Sequence, residues 1–319
     1  MHSIPIVDFG TDKASLFEQF REHGFAQLVN HGISDELIGA VWQQSEAFFA
    51  LPMEEKRKLS RSHKNVMGYY DRELTKEKRD QKEVFDFICV PHPELPDNHP
   101  DNFSKVDGVN QWSEGQPPEF QLTMKAYAAA CTDLSHRILS VFSLGLGLEQ
   151  DYFRQYFDPA HTSFTRLNHY PTTDVLESGV QGDVVPLGDQ ALHHHTDAGV
   201  LTVLLQDAVG GLQAKSGDDW INVEPIDGSL IINVGDLMQI WSNDKIKSAL
   251  HRVRPITQTG RYSIPFFFNP PYETVCAPIL APGEDALYRP MKWGDFRAGR
   301  AEGDFGSYGQ EIQISDFRL

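Results

Sequence analysis

From residue 163 to residue 269 the chain breaks into short apolar runs: "SFTRLNHYP", "VLTVLLQD", "GLQAKS", "WINVEP", "SLIINVG", "HRVRP" and "RYSIPFFFN". Each has the length of a strand, and turn residues such as Gly210-Gly211, "SGDD" and "IDGS" separate them. Strands this short, with no helix-length segment between most of them, point to a sandwich or barrel rather than alternating βαβ units.

Upstream the texture is helical. "IPIVDFG" alternates as a strand does, and "TDKASLFEQFREHG" follows as a helix with Thr11 as N-cap and Gly24 as its stop. Leu16, Phe17 and Phe20 share one face of it. "FAQLVNHG" reads as a buried strand, and "SDELIGAVWQQSEAFFALP" as a second helix capped by Ser34 and closed by Pro52. Residues 91–119 are rich in Pro, Asn, Asp and Gly and read as a long irregular segment. A long helix is predicted from Phe120 to Phe142, and a shorter one over "EQDYFRQYF". The expected division is an N-terminal mixed region (1–115), bracing helices (116–160), a β-rich region (161–275) and a C-terminal extension (276–319), the first and third sharing one core.

Composition narrows the function. A net charge of −17 argues against nucleic acid or anionic lipid as a partner, because phosphate binding needs a basic surface. It leaves room for a small anionic ligand, since one buried arginine overrides the global sign locally. Cys89, Cys131 and Cys276 are few and odd in number, so neither a disulfide framework nor a Cys-rich metal site is expected. With no apolar run long enough for a membrane span and no leader-like N-terminus, a cytoplasmic protein is expected.

The chemistry centres on "ALHHHTDAG" (191–199). In extended backbone, side chains two apart face the same way, so His195 and Asp197 project together and His194 points away. His251, opening "HRV" a few strands later, is the best third ligand. Two imidazoles and a carboxylate leave three positions open on an octahedral ion. That suits non-haem Fe(II); zinc, the competitor, prefers four-coordinate sites. Arg261 and Ser263 share parity in "RYSIPFFF". An inward arginine in an apolar strand is costly unless it meets an anion, and its fork of donors suits a carboxylate. Arg166, Asn168 and Tyr170 share one face of "RLNHY", polar residues that fit a ligand-filled cavity.

The ordered set of "IPIVDFG", "REHGFAQLVNHGIS", "NHYP", His195–Thr196–Asp197, "GDLMQIWSND", His251 and Arg261–Tyr262–Ser263 resembles the Fe(II)/2-oxoglutarate-dependent dioxygenases, in their isopenicillin N synthase-like branch. The resemblance spans nearly the whole chain. It implies a mainly β, α+β fold, a double-stranded β-helix (jelly roll) flanked by helices. It implies Fe(II) on His195, Asp197 and His251, and 2-oxoglutarate held by Arg261 and Ser263 with support from Tyr170 and Asn168. His169 stands where the family usually has a tyrosine, but it faces away from Tyr170. The implied reaction uses O₂, releases succinate and CO₂, and oxidises a small-molecule substrate, by hydroxylation first and by desaturation or ring closure as variants. Arg166, Phe267, Asn269 and Tyr69 are the expected substrate contacts. His193 and His194 are expected near the mouth of the pocket, and Asp236 and Trp241 in support. Two rivals stay open on the sequence, a 2-oxoglutarate-independent oxidase on the same fold and a jelly roll that binds a small molecule without turnover. Oligomeric state and the prime substrate are not readable.

Overall fold

Strand pairing draws both halves of the chain into one sheet. The computed structural model describes residues 3–62, 64–75, 78–90, 106–112, 114–158, 160–176, 185–304 and 312–319. Its strands in chain order are β1 (Ile6–Asp8), β2 (Phe25–Val29), β3 (Gly68–Tyr70), β4 (Leu74–Thr75), β5 (Lys78–Arg79), β6 (Glu83–Ile88) and β7 (Phe164–Tyr170). They continue as β8 (Leu192–His195), β9 (Leu201–Gln206), β10 (Leu212–Ser216), β11 (Asp219–Asn222), β12 (Leu230–Val234), β13 (His251–Val253) and β14 (Arg261–Phe268). Helices are α1 (Lys13–His23), α2 (Asp35–Phe49), α3 (Met53–Arg57), α4 (Phe120–Gly145), α5 (Asp236–Trp241) and α6 (Trp293–Asp304). The predicted runs between residues 163 and 269 each form a strand.

An eight-stranded sheet has the order β1-β2-β12-β9-β14-β7-β6-β3, and a four-stranded sheet the order β11-β10-β13-β8. Together they make the jelly roll, which does not close into a barrel. N-terminal strands flank the larger sheet on both sides, with β2 on β12 and β6 on β7. Between the sheets, Leu204, Leu212, Ala214, Val223, Ile231 and Val253 form an apolar cluster.

Alternation along β14 sorts its side chains into two environments. Ile264, Phe266 and Phe268 share the main core with Leu134, Ile138 and Phe142 of α4. Phe268 also stacks on Phe157, with ring centroids 4.1 Å apart. Burial of each such ring contributes about 1.5–3 kcal/mol, which holds α4 behind the larger sheet. The alternate residues Arg261, Ser263, Pro265 and Phe267 face the cavity on the other side.

Local signals fix the helix ends, with two corrections. The N-cap of α1 is Asp12, not Thr11: its carboxylate accepts from Ser15 N at 3.4 Å, while Thr11 N is held in a turn by Asp8 O. Gly24 does end the helix, with φ of 65°, the left-handed region that glycine enters without strain. Ser34 caps α2 as expected. The second correction is the segment after α4, where only Tyr152–Tyr156 is helical, as a 3-10 turn. Most of the expected irregular segment at 91–119 lies outside the described residues. No described helix is long and apolar enough to cross a membrane.

Candidate active site

His195 and His251 lie directly opposite each other on β8 and β13. That pairing explains how residues so far apart in sequence meet, because directly opposed residues share a face of the sheet. Asp197 follows as β8 gives way to a loop, and one ligand atom from each of the three falls within 4.8 Å of the others. Nε2 of each histidine is 3.8 Å from Asp197 Oδ1.

The backbone dictates the tautomers. His195 Nδ1 is 2.8 Å from His193 O, and His251 Nδ1 is 3.1 Å from Ala249 O. A carbonyl only accepts, so each Nδ1 carries the proton and each Nε2 presents its lone pair to the gap. The carboxylate is arranged in the same way: Asp197 Oδ2 accepts from Thr202 Oγ1 at 2.5 Å and from Asn233 Nδ2 at 2.7 Å, which leaves Oδ1 facing the histidines. Burial, then the nearby His251, holds His195 well below the usual histidine range and keeps it neutral. Burial pushes Asp197 up, but the two histidines and its two hydrogen bonds outweigh it, and the group stays a carboxylate. Two neutral nitrogens and one anionic oxygen fit a divalent iron.

The loop carrying Asp197 rests on the start of α5. Asp236 N donates to Asp197 O at 2.8 Å, and Leu237 N to Gly199 O at 3.1 Å. Gly235 is required there, because a Cβ at that position would lie 2.3 Å from Gly199 O and 2.7 Å from Asp197 O.

The three residues line a cavity of about 170 Å³ between the sheets. Across it stands Arg261, 1% exposed, its guanidinium 5.0 Å from the centroid of the Tyr170 ring. Its Nη1 donates to Ser263 Oγ at 3.2 Å and Nη2 reaches Gln206 Oε1 at 3.5 Å, but Nε has no partner. Among the described residues no carboxylate lies within ion-pair distance of it. Asn168 Nδ2 is 3.4 Å from Ser263 Oγ, and Asn168 Oδ1 is also unpartnered.

The remaining expected contacts divide. Phe267 lines the cavity, its ring stacked on Phe164 at 4.6 Å, and Asn269 lines it with Oδ1 unpartnered. Arg166 also reaches the wall, but its charge is spent inside the protein. It donates to Asp86 at 2.8 and 2.7 Å and to Glu73 Oε2 at 3.0 Å, so its charge is already met within the chain. Tyr69 is a correction. It sits opposite Phe85 on the core-facing side of β3, fully buried, and its hydroxyl donates to Glu83 at 2.6 Å. His193 turns away from the cavity toward Asp80 and Asp189, and His194 lies edge-on to Trp220. His169 faces the opposite side of β7 from Tyr170, bonded to Glu83 and stacked on Tyr262.

Sequence reasoning missed several wall residues. Thr202 and Asn233, which orient Asp197, were marked by being polar residues inside the apolar runs "VLTVLLQ" and "SLIINV". Lys82, Glu73, Arg297 and Arg300 also line the cavity, but from segments whose periodicity gave no sign of it.

Comparison with known proteins agrees with this geometry. Residues 161–270 match the 2OG-Fe(II) oxygenase superfamily, and residues 4–115 match the non-haem dioxygenase in morphine synthesis N-terminal family. The chain is 34% identical to the 2-oxoglutarate-Fe(II) type oxidoreductase hxnY of Emericella nidulans, over 95% of this chain and 90% of that protein. Among solved structures, JOX2 in complex with 2OG, Fe and JA superposes with a TM-score of 0.79 at 30% identity, covering 99% of this chain and 89% of that one. A full-length Neurospora crassa protein in complex with alpha-KG gives a TM-score of 0.76 at 27% identity, over 93% of this chain and 95% of that one. With this site and these relatives, the chain belongs to the 2OG-Fe(II) oxygenase superfamily and is a 2-oxoglutarate-dependent, Fe(II)-dependent oxygenase acting on a small molecule.

Proposed function

We propose that His195, Asp197 and His251 hold the Fe(II), that Arg261 and Ser263 bind the distal carboxylate of 2-oxoglutarate, and that the chain hydroxylates its small-molecule substrate. The observation that carries this reading is the pairing, in one cavity, of three converging ligand atoms with a buried arginine that has no counter-ion within ion-pair distance among the described residues. An ionised guanidinium left this way costs several kcal/mol, a penalty that a bound carboxylate removes.

When bound, iron and 2-oxoglutarate together supply the oxidising chemistry, consuming O₂ and releasing succinate and CO₂. The chain's own residues do the rest. Arg261 offers Nε to the distal carboxylate, and Ser263, whose oxygen accepts from Arg261 and Asn168, keeps its own O–H to donate. Tyr170 supports the guanidinium with its ring face. The prime substrate sits toward Phe164, Phe267 and Asn269, where an aromatic wall excludes water and an amide oxygen accepts a hydrogen bond. The three cysteines are free thiols, which supports a reducing, cytoplasmic setting.

The test is a succinate-release assay of the Fe(II)-loaded protein against a metabolite panel, with O₂ uptake measured with and without 2-oxoglutarate. The expected result is O₂ uptake that requires 2-oxoglutarate and is lost in His195→Ala. Undiminished succinate release from that variant rules out the ligand assignment.

A further inference from the structure

We propose that Asp236 and Arg300 are positioning residues for the metal centre, a buried clamp that sets iron affinity by fixing the peptide between two of the ligands. The inference rests on the reading of His195, Asp197 and His251 as iron ligands. Thr196 lies between His195 and Asp197, and its carbonyl and its hydroxyl are both held. Arg300 Nη2 donates to Thr196 O at 2.8 Å, and Thr196 Oγ1 donates to Asp236 Oδ2 at 3.3 Å. Arg300 Nη1 closes the triangle by donating to the same Asp236 oxygen at 3.2 Å.

The other oxygen of Asp236 reaches the third ligand's strand. Oδ1 accepts from Ser248 Oγ at 2.8 Å, three residues before His251. Asp236 N, in turn, donates to Asp197 O. Asp236 therefore ties together residues 196, 197 and 248, through two side-chain hydroxyls and its own backbone N–H, on either side of the sheet pairing that brings the ligands face to face. Arg300 comes from α6, so the C-terminal helix contributes to a centre whose ligands all lie in the β-rich region.

The energetics favour a role beyond holding the fold. Asp236 is fully buried and Arg300 is 5% exposed. A buried ion pair returns little net stability compared with an apolar pair of the same size. What it supplies is direction: two fixed donors and a fixed acceptor that permit one orientation of the Thr196 peptide. Groups that orient metal ligands from behind change metal affinity by about 10–100-fold when they are lost.

The experiment is an anaerobic titration of the metal-free protein with Fe(II), read as Kd, beside the melting temperature of each metal-free variant. Arg300→Met alone leaves Asp236 without its counter-ion, so the double variant Arg300→Met/Asp236→Asn is made as well to keep the fold intact. The expected result is an Fe(II) Kd raised about tenfold or more in both, with the double variant melting close to the parent, and partial recovery in Arg300→Lys. A parental Kd in the folded double variant overturns the clamp. His195→Ala separates the two ideas. If it loses Fe(II) binding while the clamp variants keep it, the clamp alone fails; if it binds as the parent does, the ligand reading fails and takes the clamp with it.

Discussion

Two arginines face the same cavity from neighbouring strands, and they could hardly be more different. Arg166 on β7 is met by Asp86 and Glu73, with Arg61 joining the network through both of these carboxylates. Arg261 on β14 is more deeply buried, yet no carboxylate of the described residues comes within ion-pair distance and one of its donors is unpartnered. The contrast teaches where to look for a ligand. A buried cation whose counter-ions are built into the chain is already met; one with no carboxylate within ion-pair distance among the described residues gains most from an anion that arrives from solution.

The largest effect that tests this contrast is on stability. Arg166→Met leaves Asp86 and Glu73 to Arg61 and Lys82 alone and is expected to cost about 3 kcal/mol, the low end for breaking a buried pair, measured by denaturant unfolding, while 2-oxoglutarate affinity holds. Arg261→Met should do the reverse. It removes a buried charge that has only neutral partners within reach among the described residues, so unfolding stability changes little. Binding of 2-oxoglutarate weakens by about 2–5 kcal/mol, roughly thirtyfold at the least. If both variants lose stability alike, or both lose 2-oxoglutarate alike, the distinction between the two arginines is wrong.

Acid sharpens the same comparison from the side of the carboxylates. Burial pushes Glu73 up, but Arg166, Arg61 and Lys82 overcome it and hold the group well below the usual glutamate range. A carboxylate depressed by folding contributes stability that is fully present above its unfolded pKa, near about 4.3, and is lost as pH falls toward the folded value. The protein should therefore shed stability steadily below that point, and Glu73→Gln should show a shallower acid limb. Equal slopes in acid-unfolding curves would show that the Arg166 network is not held by this charge.

What the sequence makes legible follows the same line. The strands and the convergence of His195, Asp197 and His251 are readable because alternation is a local consequence of backbone geometry: His195 and Asp197 two apart, Arg261 and Ser263 two apart. Parity also places Arg166, Asn168 and Tyr170 on one face of β7. Parity does not say which charges are already neutralised, and so it offers Arg166 as a substrate contact when its charge is already met. The partners Glu73 and Asp86 come from the loop before β4 and from β6, on the far side of the long helix α4 in sequence. Tyr69 fails for a related reason. In the short strand β3 its face is decided by pairing with Phe85, a register that no local pattern encodes. Arg300 is invisible as a partner of the ligand loop because nothing in the sequence ties α6 to residue 196.

The smallest expected effect concerns Asn168, which stands between the two arginines on the cavity-facing side of β7. Its Nδ2 is spent weakly on Ser263 at 3.4 Å and its Oδ1 is bare. An amide nitrogen carries two hydrogens, so Nδ2 can donate one to a carboxylate ligand while it keeps its bond to Ser263 Oγ, whose own hydroxyl points to the same ligand. A neutral donor of this kind is worth about 0.5–1.5 kcal/mol, so Asn168→Ala should raise the KM for 2-oxoglutarate a fewfold and leave unfolding stability nearly unchanged. Asn168→Asp carries the decisive sign, because a carboxylate there repels the incoming anion and the KM should rise well beyond that of the alanine variant. An aspartate variant no worse than alanine would place the anion elsewhere in the cavity and remove Asn168 from the Arg261 side of the comparison.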